Sequence, residues 1–468
     1  MSRYTFTILD EHYQSLRRLL LQDEREYGAL LLCGRSRHLD PWTGIVEERA
    51  LVREVIEVGE ESFLERTSNS LIWSTDALFK LAKKAMSKDY AICIAHSHPS
   101  GGLFFSHLDD AADKESFEIV FTRMDTERPH FSMVMDDKGE IIVRAFGKDL
   151  KPKAVELVRI VGNRFSVRYQ NRGDGVPPEE FDRHTRTFGA KSVEDLAQLR
   201  IGIVGCGGTG SAVACLLARL GVSKLVLIDS DRVDQTNLNR LHFSRRVDAA
   251  LGRLKVDVVG EAIAEIGLTR SVVRISHFVD ASECRDALCA CDIIFGCTDD
   301  HLGRNLLNRI AHFYYIPIID LGVLIEPNES GSFDSFDGRV TVVQPGYPCQ
   351  LCRQLISPQQ MLEEGMRRND PYLFEQHRRA GYVQGGADPS PIVITFTTEI
   401  AAVAVNELLH RLTGFRGPQG HCAERVRRFD WVKDADSVPG GKSNPTCPLC
   451  AQRKYDGRGD MEPFLDSA

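Results

Sequence analysis

The sequence predicts an α/β protein made of two units, and three features carry that prediction. The first part of the chain mixes short apolar runs such as AICIA with amphipathic stretches. A tract rich in charge, Gly and Pro, RYQNRGDGVPPEEFDRHTR, then interrupts the pattern. From Leu199 the run LRIGIVGCGGTGSAVACLLARLGVSKLVLIDSD reads as strand, glycine turn, amphipathic helix and second strand. Such alternation predicts a parallel sheet covered by helices. At 468 residues the chain is also too long for one ordinary core. We therefore expect one mixed α/β unit over 1–155, a linker over 156–180 and a second unit over 181–468.

Composition narrows the class. Hydrophobic residues at 43% and charged residues at 26% describe a globular chain. A formal charge of −8 gives no support to nonspecific nucleic-acid binding. No apolar run is long enough to span a bilayer, and MSRYTFTILDEHYQ is not a signal peptide. The expectation is a cytoplasmic protein that engages neither membrane nor nucleic acid. Thirteen cysteines without a secretion signal are not a disulfide framework. Nine are scattered and read as small buried hydrophobes. The other four form two Cys-x-x-Cys pairs, Cys349/Cys352 and Cys447/Cys450, which suit one closed, structural zinc site. A redox role fits less well, because neither pair opens a helix in a thioredoxin-like unit.

The stretch AHSHPSGGLFFSHLDD holds a second metal pattern. AICIA reads as a buried strand, and residues i and i+2 of a strand face the same side. His96 and His98 therefore project together at its end. Asp109 falls in the first turn of an expected helix, DDAADKESFEIVFTRM, with Ser106 or His107 as its cap. From there its carboxylate can swing back to the histidines. Two imidazoles and a carboxylate leave zinc's fourth position open, as in catalytic sites. Such chemistry also needs an acid/base and a group to steady the oxyanion. Glu26 in EREYGALLLCG serves the first need, with Glu24 a weaker competitor, and Ser106 the second. The set Glu26, His96, His98, Ser106 and Asp109 resembles the JAB/JAMM metalloprotease motif, E…H-S-H-P-x6-S-x2-D. The resemblance implies a JAB/MPN-like fold that cleaves peptide or isopeptide bonds after the C-terminal glycine of ubiquitin-like proteins. It assigns zinc to His96, His98 and Asp109, the acid/base role to Glu26 and the oxyanion contact to Ser106. Where family members often carry Gly three residues after the glutamate, this chain has Ala29, with Gly28 one earlier.

In the second unit, Gly205, Gly207 and Gly210 make G-x-G-x-x-G, with Gly208 beside them. These glycines let backbone approach a phosphate at a helix N-terminus, and Asp229 ends the next strand where a ribose is held. On that motif alone a nicotinamide-dependent oxidoreductase competes with other nucleotide chemistry. Asn237 and Arg240 in DRVDQTNLNR, Lys255 in LGRLKVDVV and Asp299 in DIIFGCTDD shift the balance. Cations converging on phosphates, with a strand-end carboxylate for magnesium, suit adenylyl transfer. With the two cysteine pairs, this pattern resembles the MoeB/ThiF superfamily of ubiquitin-activating-enzyme-like adenylyltransferases. The resemblance implies a Rossmann-like domain that binds ATP and magnesium and adenylates the C-terminal glycine of a ubiquitin-like or sulfur-carrier protein, commonly as a homodimer. By it Gly205, Gly207, Gly208 and Gly210 line the phosphate loop, Asp229 takes the ribose, Asn237, Arg240 and Lys255 meet the phosphates, and Asp299 holds magnesium. FDRHTR matches the family's opening R-Y-x-R, with His184 replacing Tyr, so Arg186 would reach the partner subunit's ATP.

Thioester-forming members carry a cysteine after the first knuckle, and here none stands between Cys352 and Cys422. The intervening segment is charged and Gly/Pro-punctuated and reads as a mobile loop, while Cys422 reads as buried or incidental. The pairs Gly385-Gly386 and Gly440-Gly441 read as ordinary loop glycines. Together these features describe a zinc peptidase fused to an ATP-dependent activating domain of a bacterial-type ubiquitin-like or sulfur-carrier pathway. A separate conjugating or thiol-acceptor protein would take the activated glycine. A non-catalytic scaffold in the first unit, or an NAD-binding oxidoreductase in the second, are the rival readings.

Overall fold

The computed structural model describes residues 2–170, 176–328, 333–379, 391–417, 426–431, 435–438 and 441–460. The first unit is a curled sheet whose strands run in the order Ser2–Leu9, Val46–Glu57, Gly28–Leu39, Ala91–His98, His130–Asp136, Ile141–Phe146, Pro152–Val161 and Phe165–Tyr169. Ser2–Leu9 also pairs with Pro152–Val161, which closes the sheet on itself. Period-two alternation divides the apolar side chains cleanly. Ala29, Leu31, Cys33, Cys93 and Ala95 point into the closed interior. Leu30, Leu32, Ile92 and Ile94 point outward beneath the helices Asp76–Met86 and His107–Met124.

Two expectations change here. The linker expected over 156–180 begins too early, because Pro152–Val161 and Phe165–Tyr169 form an antiparallel hairpin of the first sheet. The tract RYQNRGDGVPPEEFDRHTR that suggests a linker starts only at Arg168, and before it Val155, Leu157, Phe165 and Val167 are buried. The loop expected after the first knuckle holds two helices, Pro358–Asn369 and Pro371–Arg379. Ser357 caps the first, its Oγ accepting the Gln360 N–H at 3.3 Å, with Pro358 at the opening position. Cys422, Gly385, Gly386 and Gly440 lie outside the described residues.

In the second unit the strands run Ser271–Ile275, Lys224–Ile228, Arg200–Val204, Ile293–Gly296 and Ile318–Pro327, all parallel. Phe333–Val343, Val426–Asp430 and Ala435–Ser437 continue it in antiparallel sense. In chain order the parallel part reads 3-2-1-4-5, so the direction of winding reverses beside Arg200–Val204. Open α/β sheets bind ligands outside the carboxyl ends of strands at such a point.

The two units share one interior. Leu9, Leu51, Leu157, Val161, Phe165 and Val167 join the apolar cluster of the second sheet. Beside it lies a buried ionic contact: Arg159 Nε to Asp292 Oδ1 at 2.7 Å and Arg200 Nη1 to Glu47 Oε2 at 2.7 Å. The segment after the second knuckle also reaches across, with Asp460 N–H donating to Arg35 O at 2.8 Å. No helix among the described residues is long and apolar enough to cross a membrane.

Candidate metal and nucleotide sites

His96 and His98 end the strand Ala91–His98, and both are buried. Their Nε2 atoms lie 3.2 Å apart, and Asp109 places Oδ1 3.0 Å from His96 Nε2 and Oδ2 3.5 Å from His98 Nε2. Four-coordinate zinc with nitrogen and oxygen ligands at about 2.0–2.1 Å spaces neighbouring ligands by roughly 3.3 Å, so the group has the dimensions for zinc. A capping box turns Asp109 toward the histidines. Ser106 Oγ accepts the Asp109 N–H at 3.2 Å, and Asp109 Oδ2 accepts the Ser106 N–H at 2.6 Å. Ser106, not His107, is therefore the cap, and its hydroxyl proton remains available to a substrate oxygen. His98 Nδ1 lies 3.2 Å from Gly102 O, which holds the proton on Nδ1 and leaves Nε2 as an electron-pair donor.

Glu26 precedes the strand Gly28–Leu39, and pairing of Gly28 with His96 brings it beside the metal group. It is buried, its N–H bonded to Thr67 O at 2.7 Å, whereas Glu24 is exposed. Burial raises the Glu26 pKa, against the pull of the His96 and His98 imidazoles. A raised carboxyl pKa makes the group a stronger base toward a nearby proton. A Cβ at Gly28 would fall 2.0 Å from the Trp73 ring, so any larger residue there would have to displace that indole.

The cysteines of the two knuckles converge. Cys349 Sγ and Cys447 Sγ lie 3.8 Å apart, Cys352 Sγ and Cys450 Sγ 3.5 Å apart, and all four within 4.8 Å. These separations are too long for disulfides and match the roughly 3.8 Å edge of a tetrahedron with zinc–sulfur bonds of about 2.3 Å. The donor set is that of a closed, structural zinc site.

A cavity of about 510 Å³ opens at the carboxyl ends of the parallel strands. Gly205, Gly207, Gly208, Asp229, Arg240, Lys255 and Asp299 all line it. Gly205 has φ +90°, and a Cβ there would press to 2.6 Å from Cys297 O. Gly210 stands behind the loop, where a Cβ would meet Gly205 O at 1.8 Å, so it serves helix–strand packing. Asp229 accepts the Cys206 and Asp231 N–H groups at 2.6 and 2.8 Å. Burial raises its pKa, opposed chiefly by Lys255. Burial works against the Lys255 charge, yet Asp229, Asp231 and Asp299 raise its pKa overall. Lys255 Nζ meets Asp231 at 2.8 Å.

Two expected residues are not among those lining the cavity. Asn237 is buried in the turn Gln235–Asn237, its Oδ1 3.4 Å from the Asp234 N–H. Arg186 is exposed and pairs with Asp182 at 2.7 Å. Sequence reasoning missed Asp231, Phe278, Asp280, Arg304, Glu364, Arg367 and Arg368, which line the cavity too. For Arg304 a signal existed: it falls four positions after the helix cap Asp300, on the face that Asp300 opens.

Residues 9–141 match prokaryotic homologs of the JAB domain, and residues 181–449 match the ThiF family. The second match takes in more than half of the chain. The chain belongs to the ThiF family. Among ThiF relatives, the molybdopterin-synthase adenylyltransferase of Escherichia coli is 32% identical over 171 residues, 36% of this chain and 63% of that protein. The match thus spans somewhat less than two thirds of that relative. The SAMP-activating enzyme E1 of Haloferax volcanii is 27% identical over 291 residues, 60% of this chain and 93% of that protein. Among solved structures, E. coli MccB with AMPCPP and MccA is 16% identical with a TM-score of 0.44, covering 59% of this chain and 75% of that one. That likeness is too loose to carry an argument.

Proposed function

We propose that the ThiF unit adenylates the C-terminal glycine of a ubiquitin-like or sulfur-carrier protein, and that the JAB unit hydrolyses the peptide or isopeptide bond after that glycine. The observation that carries this reading is the pairing of two sites whose chemistries meet at one carboxylate. One gathers Arg240, Lys255 and Asp299 around a glycine loop, and the other gathers Glu26 and Ser106 beside His96, His98 and Asp109. The names of the two relatives, an adenylyltransferase and an activating enzyme, support it.

In the first reaction a carboxylate oxygen attacks the α-phosphorus of ATP. The bond to the β-phosphate bridging oxygen breaks, pyrophosphate leaves and an acyl adenylate remains. Lys255 and Arg240 offset charge on the phosphates, Asp229 accepts from the ribose hydroxyls, and Asp299 is the carboxylate for magnesium. In the second, Glu26 takes a proton from water and returns it to the leaving amine, while the Ser106 hydroxyl donates to the developing oxyanion. Zinc on His96, His98 and Asp109 would supply Lewis acidity to that water and the scissile carbonyl. Zinc on Cys349, Cys352, Cys447 and Cys450 would be structural. With no cysteine between Cys352 and Cys422, the acyl adenylate passes to a thiol or amine on a partner protein. In a homodimer Arg186 would serve the neighbouring subunit's ATP.

The test is ATP–pyrophosphate exchange with carrier proteins ending in Gly-Gly, alongside cleavage of the same carriers bearing C-terminal extensions. Exchange that depends on the free glycine, with trimming of the extension, supports both halves. Exchange without trimming would reduce the JAB unit to a scaffold, and NAD binding without exchange would return the ThiF unit to the oxidoreductase reading.

A further inference from the structure

The cavity has a wall that the glycine-loop reading does not use. The loop after the strand Ser271–Ile275 brings Phe278 to the cavity, and this ring is 54% exposed. Across from it stands the helix Pro358–Asn369, whose Glu364, Arg367 and Arg368 also line the cavity. Positions i, i+3 and i+4 of a helix share one face, so the helix turns a single charged face to the pocket.

That helix is fixed at two points. Glu364 accepts the N–H groups of His301 at 2.9 Å and Leu302 at 2.9 Å, at the start of the helix His301–Phe313. Arg368 Nη1 bonds Asp280 Oδ1 at 2.9 Å and lays its guanidinium 4.8 Å from the centre of the Phe278 ring. One side of Phe278 is thus held by a cation, itself clamped by a carboxylate two residues along. An exposed aromatic ring supported in this way has the chemistry of a stacking platform.

Strand order says what would stack on it. Across the carboxyl edge the loops follow as Gly205–Gly208, then Asp229, then Phe278. Adjacent strands are about 4.8 Å apart, so the edge offers a ladder roughly 10 Å long. A nucleotide with its phosphates on the glycine loop and its ribose at Asp229 extends its base to the third rung. Resting on the adenylation reading above, we propose that Phe278, backed by Arg368 and Asp280, is the platform for a purine base, and that the helix Pro358–Asn369 is a wall of the nucleotide site. Phe278 contacts substrate; Arg368, Asp280 and Glu364 position it.

Calorimetric titration of the full chain with magnesium–ATP, magnesium–tripolyphosphate and magnesium–CTP tests this. The wild-type protein binds ATP more tightly than CTP, because a purine covers more of the ring. Phe278→Ala weakens ATP by about 2- to 30-fold, the span expected when one stacked ring or cation–π contact is removed, and leaves tripolyphosphate unchanged. Phe278→Trp keeps ATP binding. Arg368→Ala weakens ATP by a smaller factor, and Arg368→Lys does not restore it, because an ammonium lacks the planar face of a guanidinium. Thermal melting of each variant separates these effects from misfolding. Unchanged ATP affinity in well-folded Phe278→Ala, or equal loss of ATP and tripolyphosphate, overturns the platform. A wild-type protein that binds tripolyphosphate but not ATP overturns it as well, while one that binds neither removes the adenylation reading itself.

Discussion

Asp292→Ala should uncouple the two units, and its cost can be worked in two ways. The carboxylate accepts Arg159 Nε at 2.7 Å, the Arg200 N–H at 2.9 Å and Arg200 Nη2 at 3.2 Å. Both guanidiniums are buried, 2% and 4% exposed, so water cannot replace the lost acceptor. Removing one partner of a buried ion pair costs about 3–5 kcal/mol. The titration of Asp292 gives a second figure. Burial opposes its charge, but Arg200 and Arg159 prevail and hold its pKa down at about 2, against 3.8 for an ordinary aspartate. At 1.36 kcal/mol per unit the difference is about 2–3 kcal/mol. The folded pKa lies below the unfolded one, so the unfolded chain binds more protons in between. This stability is present above about pH 4 and is lost as pH falls toward 2. The assay is thermal and urea unfolding of the full chain. Wild type should unfold in one transition, because the apolar cluster is common to both units. Asp292→Ala should melt several degrees lower and split the transition, whereas Asp292→Leu with Arg159→Met should recover much of the loss. In that pair Arg200 keeps Glu47 at 2.7 Å and Asp40 at 3.4 Å. Unchanged melting in Asp292→Ala, or simple addition of the two losses in the double variant, would refute the reasoning.

Zinc analysis should find two ions per chain, and one in the His96→Ala/His98→Ala variant; a single ion in both would leave only the cysteine site. Glu26→Gln should keep both ions yet slow trimming of an extended carrier by about 10²- to 10⁴-fold, the usual worth of a general acid/base, and unchanged trimming would displace Glu26 from that role. Lys255→Ala and Asp299→Asn should each lower ATP–pyrophosphate exchange by about 10²-fold or more while peptidase activity stays at the wild-type rate.

What the sequence displayed depended on how local each determinant was. The His-x-His spacing at a strand end, a helix start at Ser106 or His107 and the glycine turn before Gly208–Arg219 are all encoded within a few residues, and the structure has each of these elements, with Ser106 as the cap. Asn237 shows the limit of local pattern: a polar residue beside the cavity closes its own capping box with Asp234. The hairpin around Gly162 falls inside the expected linker although the Gly- and Pro-rich tract starts only at Arg168, and its Arg159 is buried against an aspartate 133 positions away. No window of sequence contains both ends of that contact. The same holds for Glu364 and His301, 63 positions apart, which set the helix Pro358–Asn369 against the cavity.

The geometry of the junction bears on what the fusion can do. Its ionic residues Arg200 and Asp292 sit at the amino ends of the parallel strands, while the nucleotide cavity opens at their carboxyl ends. In the JAB unit the contact uses the side chains of Glu47 and Arg159 and the backbone carbonyl of Arg35, whereas the histidines lie level with Gly28 at the other end of the strand Gly28–Leu39. Seven residues of strand separate Gly28 from Arg35, roughly 24 Å at about 3.4 Å per residue. Each site therefore lies at strand ends remote from the junction, so strand lengths on both sides of the junction separate the two sites. A shared, continuous core then explains the buried charges at the junction. Desolvated pairs add little net stability over well-packed apolar groups, but they penalise any docking that leaves a guanidinium without its carboxylate. The network of Glu47, Asp292, Arg159 and Arg200 thus fixes orientation, and the apolar cluster around Leu51 and Val161 supplies the adhesion.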